Sequence, residues 1–249
     1  MNNRVYYIAS GSKASETVEK ELTLRGLTVA LAPSREVTHL VLGVPCRMEN
    51  TQLEGLLGQL PNDVQVFGGF LDRLELQGYR CFDLLKDEIY LAKNASITAH
   101  CALRVALEQL PITLEHCPVL ILGGGRISKC LAQLLKACGA EVVIAVRNDA
   151  QRAMLQALGY ETETLPLPEY ILPRFRVVFN TVPAPLLSAQ ALDHCRKDCV
   201  KIELASFPGM EGDGIISARG LPGRLAPESA GKLIAKSVLR LSARKGEGK

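Results

Sequence analysis

Three consecutive glycines, Gly123-Gly124-Gly125, stand directly after the apolar run Val119–Leu122 and directly before a helical pattern opening at Ile127. Gly123 permits the tight strand-to-helix turn, and Gly125 lets a pyrophosphate come against the main chain. The third position of this fingerprint, where helix and strand must pack closely, is the small residue Ser128 rather than glycine. Free N–H groups and the dipole at a helix start favour phosphate. The candidate nucleotide loop is therefore Gly123, Gly125, Arg126 and Ile127. The next strand ends in Arg147-Asn148, where an NAD site would place Asp or Glu to hold the ribose 2′-hydroxyl. Arg147 offers a guanidinium where a 2′-phosphate would lie, and Arg–phosphate pairing is bidentate and strong. The expected coenzyme is NADP, with Arg147 and Asn148 on its ribose side.

Ligands of open parallel sheets gather at the carboxyl ends of the strands, which directs attention to two later strand ends. Asn180-Thr181-Val182-Pro183 carries polar groups and a missing Pro N–H, suited to a main chain lying beside a nicotinamide and its ribose. Thr181 or Ser188 could equally well cap the helix that follows. The second strand end is Glu203-Leu204-Ala205-Ser206-Phe207-Pro208-Gly209. It is followed by Leu221–Glu228, in which Pro227 suits a first helical turn.

The elements that must hold these residues alternate short β-rich runs with helical periods. Strands are expected at Val5–Ala9, Leu27–Leu31, His39–Val44 and Val64–Phe67. The helices among them are Ala14–Arg25 and a segment built on Leu53, Leu56, Leu57 and Leu60. A long helix over Ala92–Leu110 separates this series from a second one. That second series has strands at Val119–Leu122, Glu141–Val146, Val177–Asn180 and Val200–Leu204, and helices at Ile127–Cys138, Ala150–Leu158 and Ser188–His194. A closing helix, Pro227–Ala243, turns Leu233, Ile234, Val238 and Leu241 inward, and a charged tail, Arg244–Lys249, frays. The fold class is α/β with two domains: an N-terminal flavodoxin-like parallel sheet (residues 1–92) and a C-terminal Rossmann dinucleotide-binding domain (111–226). Residues 93–110 link them, and 227–249 form the C-terminal helix and tail.

Composition narrows the alternatives. The 249 residues carry 29 Lys and Arg against 26 Asp and Glu, a net charge of +3, with 5% aromatics and no Trp. Neither the electrostatic footprint for nucleic acid or anionic membrane nor a base-stacking platform is present. Eight cysteines include no CxxC pair. Cys195 and Cys199 would share a face if they lay on a helix, but no further ligands complete a zinc site. With no secretory signal and no apolar run of membrane-spanning length, a reduced, soluble, cytoplasmic protein without metal is expected.

The strings NTVP (180–183), ELASFPG (203–209) and LPGRLAPESAGKLIA (221–235) resemble the family of dipicolinate synthase A-subunits from spore-forming bacteria. The resemblance covers the linking helix and the whole second domain; the first domain matches only in its α/β rhythm. It implies an architecture like that of the 2-hydroxyacid dehydrogenases. It further implies oxidation of a dihydrodipicolinate to dipicolinate with NADP during sporulation, alongside a flavoprotein-like dipicolinate synthase B-subunit, in a homo-oligomer. By the same resemblance Gly123, Gly125, Arg126 and Arg147 match the nucleotide loop and second strand. Asn180, Thr181 and Pro183 match the nicotinamide-side loop, and Ala205, Ser206, Pro208 and Gly209 the next one. The chain departs from the family pattern at Phe207 and Glu228, where basic residues are expected, and at His100 and Cys101, where the pattern has an acid and Gly.

Oxidation of a dihydropyridine requires hydride transfer and removal of a proton from an adjacent carbon, so the site needs a base. His100 is the best candidate by type, adjoining the expected interdomain cleft, and Glu203 is the second. Asn94, Ser96, Thr98 and Ser206 could orient a carboxylate, and Arg224 or Arg104 could supply a cation. Two alternatives stand beside this reading: an NADP-binding protein or sensor that needs a partner to complete its site, and a dehydrogenase for another small carboxylic acid.

Overall fold

The computed structural model describes residues 4–243, so the tail at 244–249 lies outside the described residues. The chain divides into two compact units. One is built from the residues up to Asn94 together with those from Pro222 onward, and the other is Ala95–Leu221.

In the first unit β1 (Val5–Ile8), α1 (Lys13–Thr23), β2 (Thr28–Ala30), β3 (His39–Val41), α2 (Asn50–Leu57), β4 (Gln65–Gly68) and β5 (Arg80–Asp83) follow one another. All strand pairs are parallel, in the order β2-β1-β3-β4-β5. This is the flavodoxin-like order expected from the sequence. Ser12 starts α1 by accepting the Ser15 N–H on its hydroxyl. Val18 and Leu22 form that helix's buried stripe. Leu40, Val66, Leu53, Leu57 and Leu60 close into one core cluster under α2. Strand β5 was not legible in the sequence.

Helix α3 (Glu88–Gln109) begins four residues earlier than expected, and the division between the units falls within it. The second unit continues with β6 (Pro118–Leu122), α4 (Arg126–Ala137), β7 (Glu141–Val146), α5 (Asp149–Ala157), β8 (Glu161–Thr164), β9 (Val177–Asn180), α6 (Ala189–Leu192), β10 (Val200–Glu203) and β11 (Ile215–Ser217). Its six strands are parallel in the order β11-β10-β9-β6-β7-β8. This is the Rossmann order, and the direction of winding reverses between β6 and β9. Val119, Leu120, Ile121 and Leu122 are fully buried, as a strand covered on both faces requires. Leu131, Ala132 and Leu135 seat α4 with Ser128 on its buried side.

The short α7 (Leu221–Leu225) and the closing α8 (Pro227–Ser242) complete the chain. Leu233, Ile234, Val238 and Leu241 are buried, as the helical period predicts. The closing helix packs on α1 within the first unit and is not a separate appendage. A methyl group on Gly231 would lie 2.3 Å from Ala14 O and 2.5 Å from Thr17 Cβ, so glycine lets the two helices approach closely. No helix among the described residues is long and apolar enough to cross a membrane.

Candidate functional site

The carboxyl ends of β7, β6, β9 and β10 are consecutive in the second sheet, and the nucleotide-loop and strand-end residues singled out in the sequence stand on them. At the end of β6, Gly123 takes φ +100°, a conformation that side chains disfavour. A methyl group there would come within 2.6 Å of Thr181 Oγ1 and Val182 Cγ2. One on Gly124 would reach Gln151 at 2.7 Å and Val146 at 2.9 Å. Gly125, the N-cap of α4, differs from both: a methyl group would meet nothing within 4 Å, because that side of the turn is open. The turn is packed from behind and bare in front, above the first N–H groups of a twelve-residue helix.

Two side chains hold the turn from below. Ser128 Oγ donates to Gly123 O at 2.6 Å in a fully buried position. The residue that departs from the glycine fingerprint is therefore a hydrogen-bonding clasp as well as a small packing residue. Gln151 Nε2 donates to Gly124 O at 3.0 Å. Sequence reasoning missed Gln151, although Asn148-x-x-Gln151 has the spacing of a capping box. The Gln151 N–H donates to Asn148 Oδ1 at 2.8 Å, while its side chain turns to the glycine loop instead of back to the cap. Asn148, expected beside the coenzyme, thus spends its side-chain oxygen as the N-cap of α5. Arg147 sits just beyond β7 as an exposed guanidinium with no ion pair among the described residues, and Arg126 and Ile127 open α4.

The loops after β9 and β10 are fastened to each other by Glu203. This side chain is only 3% exposed, and its carboxylate accepts from Asn180 Nδ2 at 2.8 and 3.0 Å. It also accepts from the main-chain N–H groups of Ala205 at 3.0 Å, Gly209 at 2.8 Å and Met210 at 3.2 Å. Asn180 in turn accepts the Val182 N–H on Oδ1 and donates to Val182 O, both at 3.0 Å. Gly209 must be glycine, because a methyl group would lie 2.3 Å from Asn180 Nδ2 and 2.6 Å from Ala184 O. The expectation that Glu203 is a base is corrected on this ground. Its oxygens are turned into the protein and filled by donors, so it organises the loops and has no open face for a substrate proton. Thr181 is likewise drawn inward, its hydroxyl donating to Leu122 O at 2.8 Å. Pro183 and the tip Ser206-Phe207-Pro208 are exposed, and Ala205 is buried.

The remaining candidates lie on α3 and α7. His100 is exposed on α3, and its Nδ1–H donates to Ser96 O at 2.9 Å, leaving the lone pair on Nε2. Thr98 is buried and Ser96 half-buried on the same helix. Arg104 is held by Glu108 at 2.8 Å on the helix surface. Asn94 and Arg224 belong to the first unit, and both already have interaction partners.

No protein-family model matches the chain. Among characterised proteins it is 28% identical over 202 residues to the A-subunit of dipicolinate synthase from Bacillus subtilis (strain 168), a match covering 75% of this chain and 67% of the relative. The crystal structure of the dipicolinate synthase A-subunit from Bacillus halodurans superposes with a TM-score of 0.83 at 21% identity, covering 97% of this chain and 98% of the other. The apo-structure of D-lactate dehydrogenase from Escherichia coli superposes with a TM-score of 0.59 at 12% identity, covering 96% of each chain. The resemblance drawn from the NTVP, ELASFPG and LPGRLAPESAGKLIA strings is thus matched by similarity over most of the sequence, and the two-domain dehydrogenase architecture by the fold.

Proposed function

We propose that the chain is an NADP-dependent oxidoreductase of the dipicolinate synthase A-subunit type, which oxidises dihydrodipicolinate to dipicolinate. The observation that carries the reading is Gly125, the one position of the glycine turn where a side chain would point into open space, at the start of α4. The residues present fit a dinucleotide: bare amides for the pyrophosphate, and Arg147 for the 2′-phosphate beside a strand end that lacks a carboxylate. When bound, the nicotinamide ring serves as the hydride acceptor. The chain's own part is to hold Gly123 and Gly124 from behind through Ser128 and Gln151, and to fix the loops 180–184 and 205–210 through Glu203. His100 Nε2 is the proton acceptor, and Ser96, Thr98 and Ser206 orient the substrate carboxylates. The protein is cytoplasmic, oligomeric, and works with a dipicolinate synthase B-subunit.

A second reading is supported by Glu203 itself. With that carboxylate committed to the loops, the second unit keeps one candidate base, as expected of an NADP-binding protein that completes its site only with a partner. One experiment addresses both: thermal shift with NADPH and with NADH, then turnover of dihydrodipicolinate with NADP, with and without the B-subunit. A larger shift with NADPH and turnover by the chain alone support the first reading. Binding with turnover only in the presence of the B-subunit supports the second. No shift with either dinucleotide overturns both.

A further inference from the structure

A hollow of about 410 Å³ opens on the surface of the first unit, a volume ordinary for a small-molecule site. One wall is a stripe of α2, where Asn50, Glu54 and buried Leu57 share one helical face. The other wall is the turn before β5, which carries Glu75, Gln77 and Tyr79. Buried Leu76 anchors that turn, and its carbonyl accepts the Tyr79 N–H at 3.2 Å. Hydrogen bonds hold the walls at both ends of α2. At its start Asn50 Nδ2 donates to Glu75 Oε1 at 3.4 Å, and the Glu75 N–H donates to Asn50 Oδ1 at 3.2 Å. At its end Arg35 donates to Leu60 O and, at 2.9 Å, to Gly58 O, the C-cap carbonyl.

Three charged side chains line the hollow: Glu54, Glu75 and Arg35. None of them makes an ion pair among the described residues. No cluster of three or more His, Cys, Asp or Glu among the described residues could hold a metal ion, so the two carboxylates are left for an organic cation. Arg35 has five N–H donors and the carbonyls at the end of α2 take two of them.

We propose that this hollow binds a basic amino acid, with its two ammonium groups on Glu54 and Glu75 and its carboxylate on the remaining N–H groups of Arg35. The match is one of charge. The hollow offers two negative groups and one positive, and a basic amino acid presents two positive groups and one negative. A simple anion would face two carboxylates. A diamine would leave Arg35 unmet, and a neutral amino acid would leave one carboxylate unmet, so the partial matches are selected against. The aliphatic stem of the ligand has Leu57 and the Tyr79 ring to lie on. Arg35 and Tyr79 stand just before β3 and β5, so the hollow is at the amino ends of these strands. Ligands of open parallel sheets gather at the other end. The site lies wholly within the first unit and does not depend on the proposed reaction.

The test is calorimetric titration of the full chain at low salt with L-lysine, L-ornithine and L-arginine. Cadaverine, which lacks the carboxylate, and L-norleucine, which lacks the second ammonium, are titrated beside them. A basic amino acid should bind, and the two partial matches should bind about tenfold more weakly or not at all, because each forfeits one charged contact. Added salt should weaken the binding, since the groups are at the surface. Glu54 is exposed on α2, so Glu54→Gln and Glu54→Lys should melt like the wild type. The first should weaken the basic amino acid by about tenfold, and the second should abolish its binding. The proposal is overturned if none of the three basic amino acids binds, if cadaverine or norleucine binds as tightly as they do, or if Glu54→Lys binds them as the wild type does.

Discussion

Asn180 Nδ2 donates to both carboxylate oxygens of Glu203, and the two residues are direct partners in the register of β9 and β10. One buried pair therefore joins the ends of two neighbouring strands, and the same carboxylate collects three main-chain N–H groups from the loop beyond. Glu203→Gln puts an amide N–H against some of these donors while changing almost no volume. Leaving buried donors unmet costs about 1–3 kcal/mol, so the melting temperature should fall by several degrees and dinucleotide affinity should fall with it as both loops loosen. A base would behave differently: the same substitution would leave melting and coenzyme affinity at wild-type values and lower kcat alone. Calorimetry and a dinucleotide titration on one preparation distinguish the two outcomes.

The glycines of the turn should respond to alanine in opposite ways. Gly123→Ala forces a side chain into a φ of +100° and into Thr181 and Val182, so it should destabilise the second unit by about 1–3 kcal/mol or more, read as a lower melting temperature. Gly125→Ala has an ordinary backbone, φ −75°, and free space for its methyl group. It should melt like the wild type and yet lose about tenfold or more in NADPH affinity, because the methyl group would stand where the proposed function seats the pyrophosphate. A Gly125→Ala protein that binds NADPH as well as the wild type would remove the main support for the coenzyme site.

In the proposed function Arg147 is the residue that would set the preference between the two nicotinamide coenzymes. It is exposed just past β7, so Arg147→Ala should leave the fold intact. Loss of a charge-assisted contact to the 2′-phosphate should weaken NADPH by about tenfold and leave NADH nearly unchanged. Titration of both coenzymes against both proteins checks this, and equal weakening of the two would assign Arg147 some other role.

The central strands were legible in the sequence and three of the four edge strands were not, for one physical reason. Val119–Leu122, Val177–Asn180 and Glu141–Val146 lie inside the second sheet, covered on both faces, and read as near-continuous apolar runs. The missed strands β5 (RCFD), β8 (ETET) and β11 (IIS) are all sheet edges, short and partly exposed, where neither alternation nor a hydrophobic run is required. The glycine turn was legible because its conformation needs a residue type. Glu203 was read as a base because a carboxylate at a strand end looks the same whether it meets solvent or N–H groups. Three of its partners are main-chain atoms of Ala205, Gly209 and Met210, whose side chains give no sign of the contact.

His39 makes the first unit sensitive to acid. It is buried on β3 between the rings of Tyr6, centroid to centroid 4.6 Å, and Phe67 at 5.8 Å. Its Nδ1 is hydrogen-bonded to Thr38 Oγ1 at 2.7 Å, whereas Nε2 is buried without a partner. Protonation would place a charged, unmet N–H among aromatic rings, and the nearby charge of Arg4 opposes it further; burial and Arg4 together bring the imidazole down from 6.5 to about 4. Because the folded value is the lower one, the unfolded chain binds more protons between about 4 and 6.5. The stability associated with neutral His39 is complete above 6.5, declines as pH falls through that window, and is lost below about 4. The gap corresponds to about 3 kcal/mol at most. Melting temperatures measured from pH 7 down to pH 4 should therefore decline in the wild type. In His39→Phe, which keeps a flat ring and has no proton to gain, that part of the decline should disappear; parallel curves for the two proteins would place the acid sensitivity elsewhere.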